Sequence, residues 1–191
     1  MALSCGKISA NAMLAKCGAV TPAVKGRIVF INQDDIDYEA STVTGGVISA
    51  IVTKNNAKGY KWETADRGVE TAPAMVAGAY FNNMEHSLTF RVFDKTQDIK
   101  DQLNALMNSR VVAIVENRSN DNPETHFEVF GWNGGLIMTS LEGPSTDTDG
   151  VNYVVTLNNG EDARESQLPL SFYTGSVAET ETALNALVTA A

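Results

Sequence analysis

Few side chains in this 191-residue chain could carry out acid–base or nucleophilic chemistry. His86 and His126 are the only histidines, and either could act as a base for a hydroxyl nucleophile such as Ser87 or Ser119. Each histidine lies at the start of a predicted strand, which favours an exposed histidine at a strand edge over a catalytic base. We therefore assign no catalytic residue and expect a protein that is not an enzyme.

The common motifs of cofactor and active sites are absent from the sequence. It contains no G-x-x-x-x-G-K-[ST] or G-x-G-x-x-G loop for phosphates, no H-E-x-x-H and no G-x-S-x-G. The sequence does not exclude a pair of carboxylates that hydrolyses glycosides, although an aromatic content of 7% offers no clear platform for a sugar. We predict that the protein uses no cofactor.

Two loops are rich in the oxygen ligands that calcium prefers. They contain, respectively, Asp34, Asp35, Asp37 and Glu39, and Asp147, Thr148, Asp149 and Gly150. Neither has the full spacing of an EF-hand loop, and Asp side chains commonly satisfy amide groups of their own turns. We therefore predict turn chemistry at both loops rather than a metal site.

The two cysteines, Cys5 and Cys17, have no second pair and no nearby histidine to complete a zinc site. They could form one disulfide, although the pattern favours small, reduced thiols. The amino-terminal residues lack a continuous apolar run, so we expect no secretory signal and a cytoplasmic site of synthesis. No stretch of about 18 apolar residues is present, and we expect no membrane span.

The formal net charge of -9 is unevenly distributed. Residues 1–95 hold ten Lys and Arg against nine Asp and Glu, whereas residues 96–191 hold four against fourteen. This balance argues against a protein that grips the phosphate backbone, because such proteins concentrate positive charge. The acidic half could keep the domain soluble, or it could take part in assembly or repel polyanions.

Short runs of β-branched and aromatic residues predict strands through the middle of the chain. The predicted strands are residues 27–36, 47–54, 60–64, 87–94, 110–116, 126–132, 136–141, 151–157 and 167–173. The turns at residues 55–59 and 133–135 each predict a hairpin. Residues 110–116 are apolar on both faces, which predicts a central strand, whereas Pro169 favours an edge position for the last strand.

Helical spacing occurs twice. Ile99, Leu103, Leu106 and Met107 form one stripe, which predicts a helix at residues 97–108 with Thr96 as its cap and a compact β-α-β unit with the strands on either side. Residues 177–190 have weaker helical spacing and are predicted to be peripheral or dependent on a partner. Residues 66–81 show no clear period, and we expect a long loop outside the core.

These elements predict a mainly antiparallel β-sandwich or barrel with one short central α-helix and extended loop and terminal arms. The predicted organisation is an amino-terminal arm at residues 1–26, a β domain at residues 27–173 that contains the helix 97–108, and a carboxyl-terminal arm or helix at residues 174–191. The length suits one such domain.

The order of elements resembles that of tail-tube-type virion proteins of tailed bacteriophages. The resemblance covers residues 27–172 as an order of elements. Within it, the alternating strand, short helix and buried strand at residues 87–116 are followed by residues 127–136 and 149–153. The strand at residues 110–117 and the Gly131-Trp132 segment carry the likeness most clearly.

The resemblance implies a virion structural protein in the phage tail, whose homo-oligomeric, hexameric rings stack into a tube. DNA would pass through its lumen without specific binding, and the further partners would be other tail and neck proteins. The family's long hairpin, which reaches a neighbouring ring, would correspond to residues 45–81. Acidic residues that face the lumen would create a negative wall along which DNA slides.

Three functional interpretations follow. The first is a subunit of the tail tube or of another ring, such as a neck or connector. The second is an accessory protein that binds the capsid and forms no channel. The third is a small-ligand binding module or a hydrolase, which predicts a monomer with a concave site and converging polar side chains.

Overall fold

A computed structural model describes residues 24–65, 67–118, 122–143 and 150–189. In these ranges the chain forms thirteen β-strands and two α-helices. The strands are β1 (Val24–Asn32), β2 (Thr42–Thr44), β3 (Val47–Ala50), β4 (Tyr60–Glu63), β5 (Val69–Thr71), β6 (Ala74–Val76), β7 (Asn83–Glu85), β8 (Ser87–Val92), β9 (Val111–Asn117), β10 (Phe127–Phe130), β11 (Ile137–Glu142), β12 (Tyr153–Asn158) and β13 (Leu170–Phe172). The helices are α1 (Gln97–Met107) and α2 (Val177–Thr189).

Two sheets form an open sandwich. The larger sheet has seven strands in the order β2-β3-β13-β10-β9-β1-β4, and the smaller has four in the order β11-β12-β8-β5. Among the described strands, β6 and β7 pair with each other in a separate two-stranded sheet. This confirms the prediction of a mainly antiparallel β-sandwich. The described strands do not close into a barrel.

The first core lies between the two sheets. Its centre is β9, which contributes Val111, Ala113 and Val115 to this side of the seven-stranded sheet. Leu88 and Phe90 of β8 face them from the smaller sheet, and α1 covers one end of this core. The predicted central position of β9 is confirmed, because the strand pairs with β1 and β10 on its two sides.

A second core lies on the opposite face of the seven-stranded sheet. Val112 and Ile114 of β9 point to this side, where α2 covers them with Leu184 and with the partly buried Leu187. The prediction that this helix is peripheral was therefore wrong, and the described chain has two helices that cover core rather than one. Its weak apolar stripe suffices because the sheet beneath it supplies most of the apolar surface.

The predicted boundaries of the β domain also differ from the observed elements. Strand β1 begins at Val24, inside the predicted amino-terminal arm of residues 1–26. The remaining residues of that arm, including Cys5 and Cys17, lie outside the described residues. At the other end, the helix that was one alternative predicted for residues 174–191 is present as α2, which packs on the second core.

Both predicted hairpins were wrong. Strands β3 and β4 lie at opposite sides of the seven-stranded sheet, and residues 51–59 cross the face between them. Strands β10 and β11 belong to different sheets, so the turn around Asn133 is a corner between the layers. Positive φ angles at Gly131 (72°) and Gly135 (69°) make this corner possible. The turn residues thus predicted that the chain changes direction, but they did not predict with which strand the next strand pairs.

Helix α1 likewise connects the two layers, because β8 lies in the smaller sheet and β9 in the larger one. The predicted β-α-β unit in one sheet was therefore wrong. Leu103 and Leu106 are buried as predicted, whereas Met107 is exposed. Thr96 precedes the helix, but its hydroxyl bonds the carboxylate of Asp94 rather than the helix amides.

Two further elements differ from the predictions. Strand β13 is interior, between β3 and β10. Pro169 does not prevent this position, because it precedes the strand and removes no hydrogen bond from it. Within the predicted loop of residues 66–81, β5 pairs with β8 and buries Val69 in the first core. The rest of that segment is outside the core, as predicted.

Shortening Leu184 to alanine tests whether α2 is part of the core. Leu184 is 2% exposed, and Leu→Ala at such a site costs about 2–5 kcal/mol of unfolding free energy. Leu168→Ala, at a side chain that is 61% exposed, is the matched control and should change it by less than about 0.5 kcal/mol. Urea denaturation measures both. Equally small effects would mean that α2 does not stabilise the sandwich.

Candidate assembly surface

The most exposed apolar side chains belong to the hairpin of β6 and β7, here called the β6–β7 hairpin. It pairs Ala74 with Glu85 and Val76 with Asn83, and residues 77–82 form its tip. Tyr80 is 91% exposed, and Met75 and Phe81 are each 64% exposed. Large apolar side chains that cluster in solvent mark interaction sites, because isolated proteins seldom leave such patches uncovered.

The β6–β7 hairpin is also free of charge up to Met84, since its one charged residue, Glu85, lies at its base. Residues 71–84 contain no Asp, Glu, Lys or Arg, although these make up 19% of the chain. Depletion of charged residues is typical of the centre of a protein interface. Sequence reasoning assigned these residues to a loop, and the missing charge was the signal that could have identified them as a contact surface.

The β6–β7 hairpin has a defined shape. At its base, Met84 and Glu165 exchange two backbone hydrogen bonds of 2.7 and 2.9 Å. At its tip, a Cβ atom on Gly78 would clash with the carbonyl oxygen of Phe81, so the turn requires glycine there. The tip side chains are therefore presented to solvent by a paired backbone that is attached to the sandwich.

An apolar groove lies elsewhere on the molecule, between β4, the carboxyl-terminal half of β8 and the start of α1. Its volume is about 880 Å³. Trp62 and Phe90 line its floor and, together with Phe30 beneath them, form a cluster with ring centroids 5.2 to 5.9 Å apart. The walls include Tyr60, Phe93 and Ile99, and the charged side chains are Lys58, Lys61, Glu63, Arg91 and Asp94.

His86 was predicted to be an exposed histidine at a strand edge, and this was wrong because its side chain is buried. Its Nδ1 accepts a hydrogen bond of 3.1 Å from the amide of Gly131, and its Nε2 lies 3.0 Å from the carbonyl oxygen of Gln167. A carbonyl only accepts, so the proton is on Nε2 and the ring is neutral. Burial lowers the pKa of His86. Backbone groups engage both nitrogens, which favours a structural role.

The same region contains two other buried polar side chains. Glu165 accepts hydrogen bonds from the amides of Asn133 (2.8 Å) and Gly134 (2.9 Å), and from the Asn133 side chain (2.7 Å). Asn159 accepts from the amide of His86 and donates to the carbonyl oxygen of Gly135. Together these side chains satisfy the backbone of the corner that joins the two sheets.

His126 was also predicted to be exposed, and it is buried. Its Nε2 lies 3.1 Å from Oε1 of Glu116, a carboxylate that also contacts Lys25 at 2.5 Å and Arg27 at 2.7 Å. Burial acts to raise the pKa of Glu116, but Lys25, Arg27 and the His126 hydrogen bond outweigh it, so that this pKa is lowered. Glu116 therefore carries its charge within an ion cluster. Ser119 lies outside the described residues.

The first acidic loop shows the predicted turn chemistry. The carboxylate of Asp37 accepts hydrogen bonds of 3.1 Å from the amides of Glu39 and Ala40, and Asp35 accepts one of 3.0 Å from Asn32. In the second loop only Gly150 is described, whereas Asp147, Thr148 and Asp149 lie outside the described residues. Among the described residues, no group of three or more His, Cys, Asp or Glu side chains could hold a metal ion.

The described carboxylates of the acidic half are buried, half-buried (Glu128 and Glu181) or exposed. Glu116 and Glu165 are buried and bonded, so they add little to the surface potential. The exposed ones lie on several elements of both layers. They are Asp98, Asp101, Glu124, Glu142, Glu161, Asp162 and Glu179. The excess negative charge is thus on the surface, but the described fold does not collect it on one face.

Comparisons of the chain with protein-family models, with curated proteins and with solved structures found no match. In the described ranges, neither helix is long and apolar enough to cross a membrane.

Replacing His86 tests its buried, neutral state. The unfolded chain takes up a proton at this residue near its ordinary pKa of 6.5, whereas the folded protein resists it, so the unfolding free energy should fall as the pH drops below about 6.5. His86→Gln should remove this part of the pH dependence. Urea denaturation between about pH 5 and pH 8 measures it. His126→Gln, which keeps His86, should retain the decline, and a decline unchanged in His86→Gln would contradict the assignment.

Proposed function

We propose that this protein is a structural subunit of a phage tail, whose copies assemble into rings that stack into a tube for the passage of DNA. The observation that carries the proposal is the β6–β7 hairpin. Its tip leaves Tyr80 almost fully exposed within a segment free of charge. A surface of this kind suits a subunit whose neighbours cover it, and the sandwich scaffold can repeat it around a ring.

The charge of the chain supports the same proposal. A ring multiplies the net charge of -9 carried by each subunit, and carboxylates on its inner wall would repel a polyanion that moves past them. The buried ion cluster at Glu116 uses Lys25 and Arg27, which leaves fewer cations to contact phosphates. DNA would then travel through the channel without being retained.

A small-ligand binding module is a second candidate, and the groove is the observation that favours it. Its volume of about 880 Å³ falls within the range of pockets that hold small molecules, roughly 300 to 1,000 Å³. Its floor is aromatic, however, and neither histidine lines it. This candidate predicts a monomeric protein that gains thermal stability with a ligand.

Electron microscopy of the purified full-length protein tests the proposed assembly. In negative stain we expect rings or tubes with a central hole, and multi-angle light scattering should give a mass several times that of one chain. Single rings without stacking would indicate a neck or connector component. Monomers at all concentrations would contradict the proposal, and binding to capsid shells without a self-made channel would favour an accessory protein.

Reversing surface charge tests the repulsive channel. Asp98→Lys/Asp101→Lys on α1 and Glu161→Lys/Asp162→Lys between β12 and β13 make the same charge change at exposed sites on two parts of the subunit. The pair that lines the channel should make assembled tubes retain DNA in a salt-dependent manner, whereas a pair on the outer wall should not. DNA retention is measured by nuclease protection. Strong retention by wild-type tubes would contradict the repulsive channel.

A further inference from the structure

We infer that the apolar groove beside β4 receives the tip of the β6–β7 hairpin from a second copy of this chain. The inference rests on the proposed function, since it names the contact by which copies assemble. The contact joins two different surfaces, with Tyr80 and Phe81 on one copy and the floor around Trp62 on the next.

The positions of the two surfaces favour a contact between copies. The β6–β7 hairpin leads directly into the first residue of β8, Ser87, whereas the groove is lined by the other end of that strand, from Phe90 onwards. A six-residue strand spans roughly 17–20 Å, so the hairpin starts at the end of β8 that lies away from the groove. A donor surface and an acceptor surface at opposite ends of one strand suit a head-to-tail arrangement of subunits.

The chemistry of the two surfaces is complementary. The tip offers aromatic side chains and no charge, and the groove offers an aromatic floor on which they can pack edge to face. Strand β4 forms one edge of the seven-stranded sheet and pairs only with β1 among the described strands. The outer backbone groups of an edge strand are those to which an added strand binds.

The area of the contact is also appropriate. Two aromatic side chains bury roughly 150–250 Å² each when they enter a core. Tyr80 and Phe81 alone would thus bury roughly 300–500 Å², about 40–60% of the roughly 800 Å² that each partner buries in a stable interface. Met75 and the hairpin backbone add to this area, and Lys58 and Lys61 lie where the polar rim of such an interface would be.

Such a contact has a consequence for the form of the assembly. Because donor and acceptor differ, a pair of subunits keeps one free tip and one free groove, so the contact repeats until a ring closes or a stack ends. A symmetric contact between identical patches would stop at a dimer instead. The hairpin contact is therefore of the type that rings and tubes require.

Complementary variants test the inference. Tyr80→Glu/Phe81→Glu disables the tip and leaves the groove intact, whereas Tyr60→Glu/Phe93→Glu disables the groove and leaves the tip intact. All four side chains are exposed, so each variant should fold, which circular dichroism checks. Val43→Glu/Leu168→Glu, at exposed apolar positions elsewhere, is the control that adds the same charge.

Sedimentation of the full-length proteins gives the result. Wild type and the control should assemble, and each of the other two variants should remain monomeric at the same concentration. An equal mixture of the tip and groove variants should form a complex of two chains and nothing larger, because only one working tip meets one working groove.

The outcomes separate this inference from the proposed function. If wild type assembles and either variant assembles equally well, or if the mixture forms no two-chain complex, the hairpin contact is wrong while the proposed function stands. If wild type is monomeric at every concentration, both are wrong. Loss of assembly in both variants together with a two-chain complex in the mixture supports the contact.

Discussion

The seven-stranded sheet is apolar on both faces, and the arrangement of the other elements follows from the need to cover each of them. Strand β9 lies at its centre, with Val111, Ala113 and Val115 on one side and Val112 and Ile114 on the other. A single second sheet could cover only one face. The fold therefore places the four-stranded sheet and α1 on the first face and α2 on the second. As a result, a carboxyl-terminal segment whose apolar pattern is weak becomes part of the core.

Covering the first face requires the chain to pass between the sheets, and buried polar side chains make these passages possible. The corner between β10 and β11 carries backbone amides that neither sheet satisfies. Glu165, Asn159 and His86 accept hydrogen bonds from these amides or donate to nearby carbonyl groups. Unsatisfied polar groups at such a depth would cost free energy, so these side chains are needed where they are. The histidines that were candidates for chemistry thus have structural partners.

Once both faces are covered, the described residues still present two apolar surfaces. The β6–β7 hairpin branches from the end of the smaller sheet, and the groove opens where β4 leaves the edge of the larger sheet uncovered. The hairpin tip lies outside both cores, whereas the groove floor includes Phe90 of the first core. The proposed self-assembly would cover both surfaces, which connects the fold to the proposed role in a phage tail.

Local patterns in the sequence determined most of the strands, the faces of β1 and β9, the extent of α1 and the surface acidity, because period and composition act over a few residues. Tertiary structure alone decided which strands pair. The backbone hydrogen bonds between strands are the same for any side chains, so the turns at residues 55–59 and 133–135 predicted hairpins that did not form. Tertiary structure also decided that His86 and His126 are buried. Their hydrogen-bond partners, the carbonyl oxygen of Gln167 and the carboxylate of Glu116, lie far along the chain or on another strand. The groove depends on the meeting of β4, β8 and α1, and no local pattern could have predicted it.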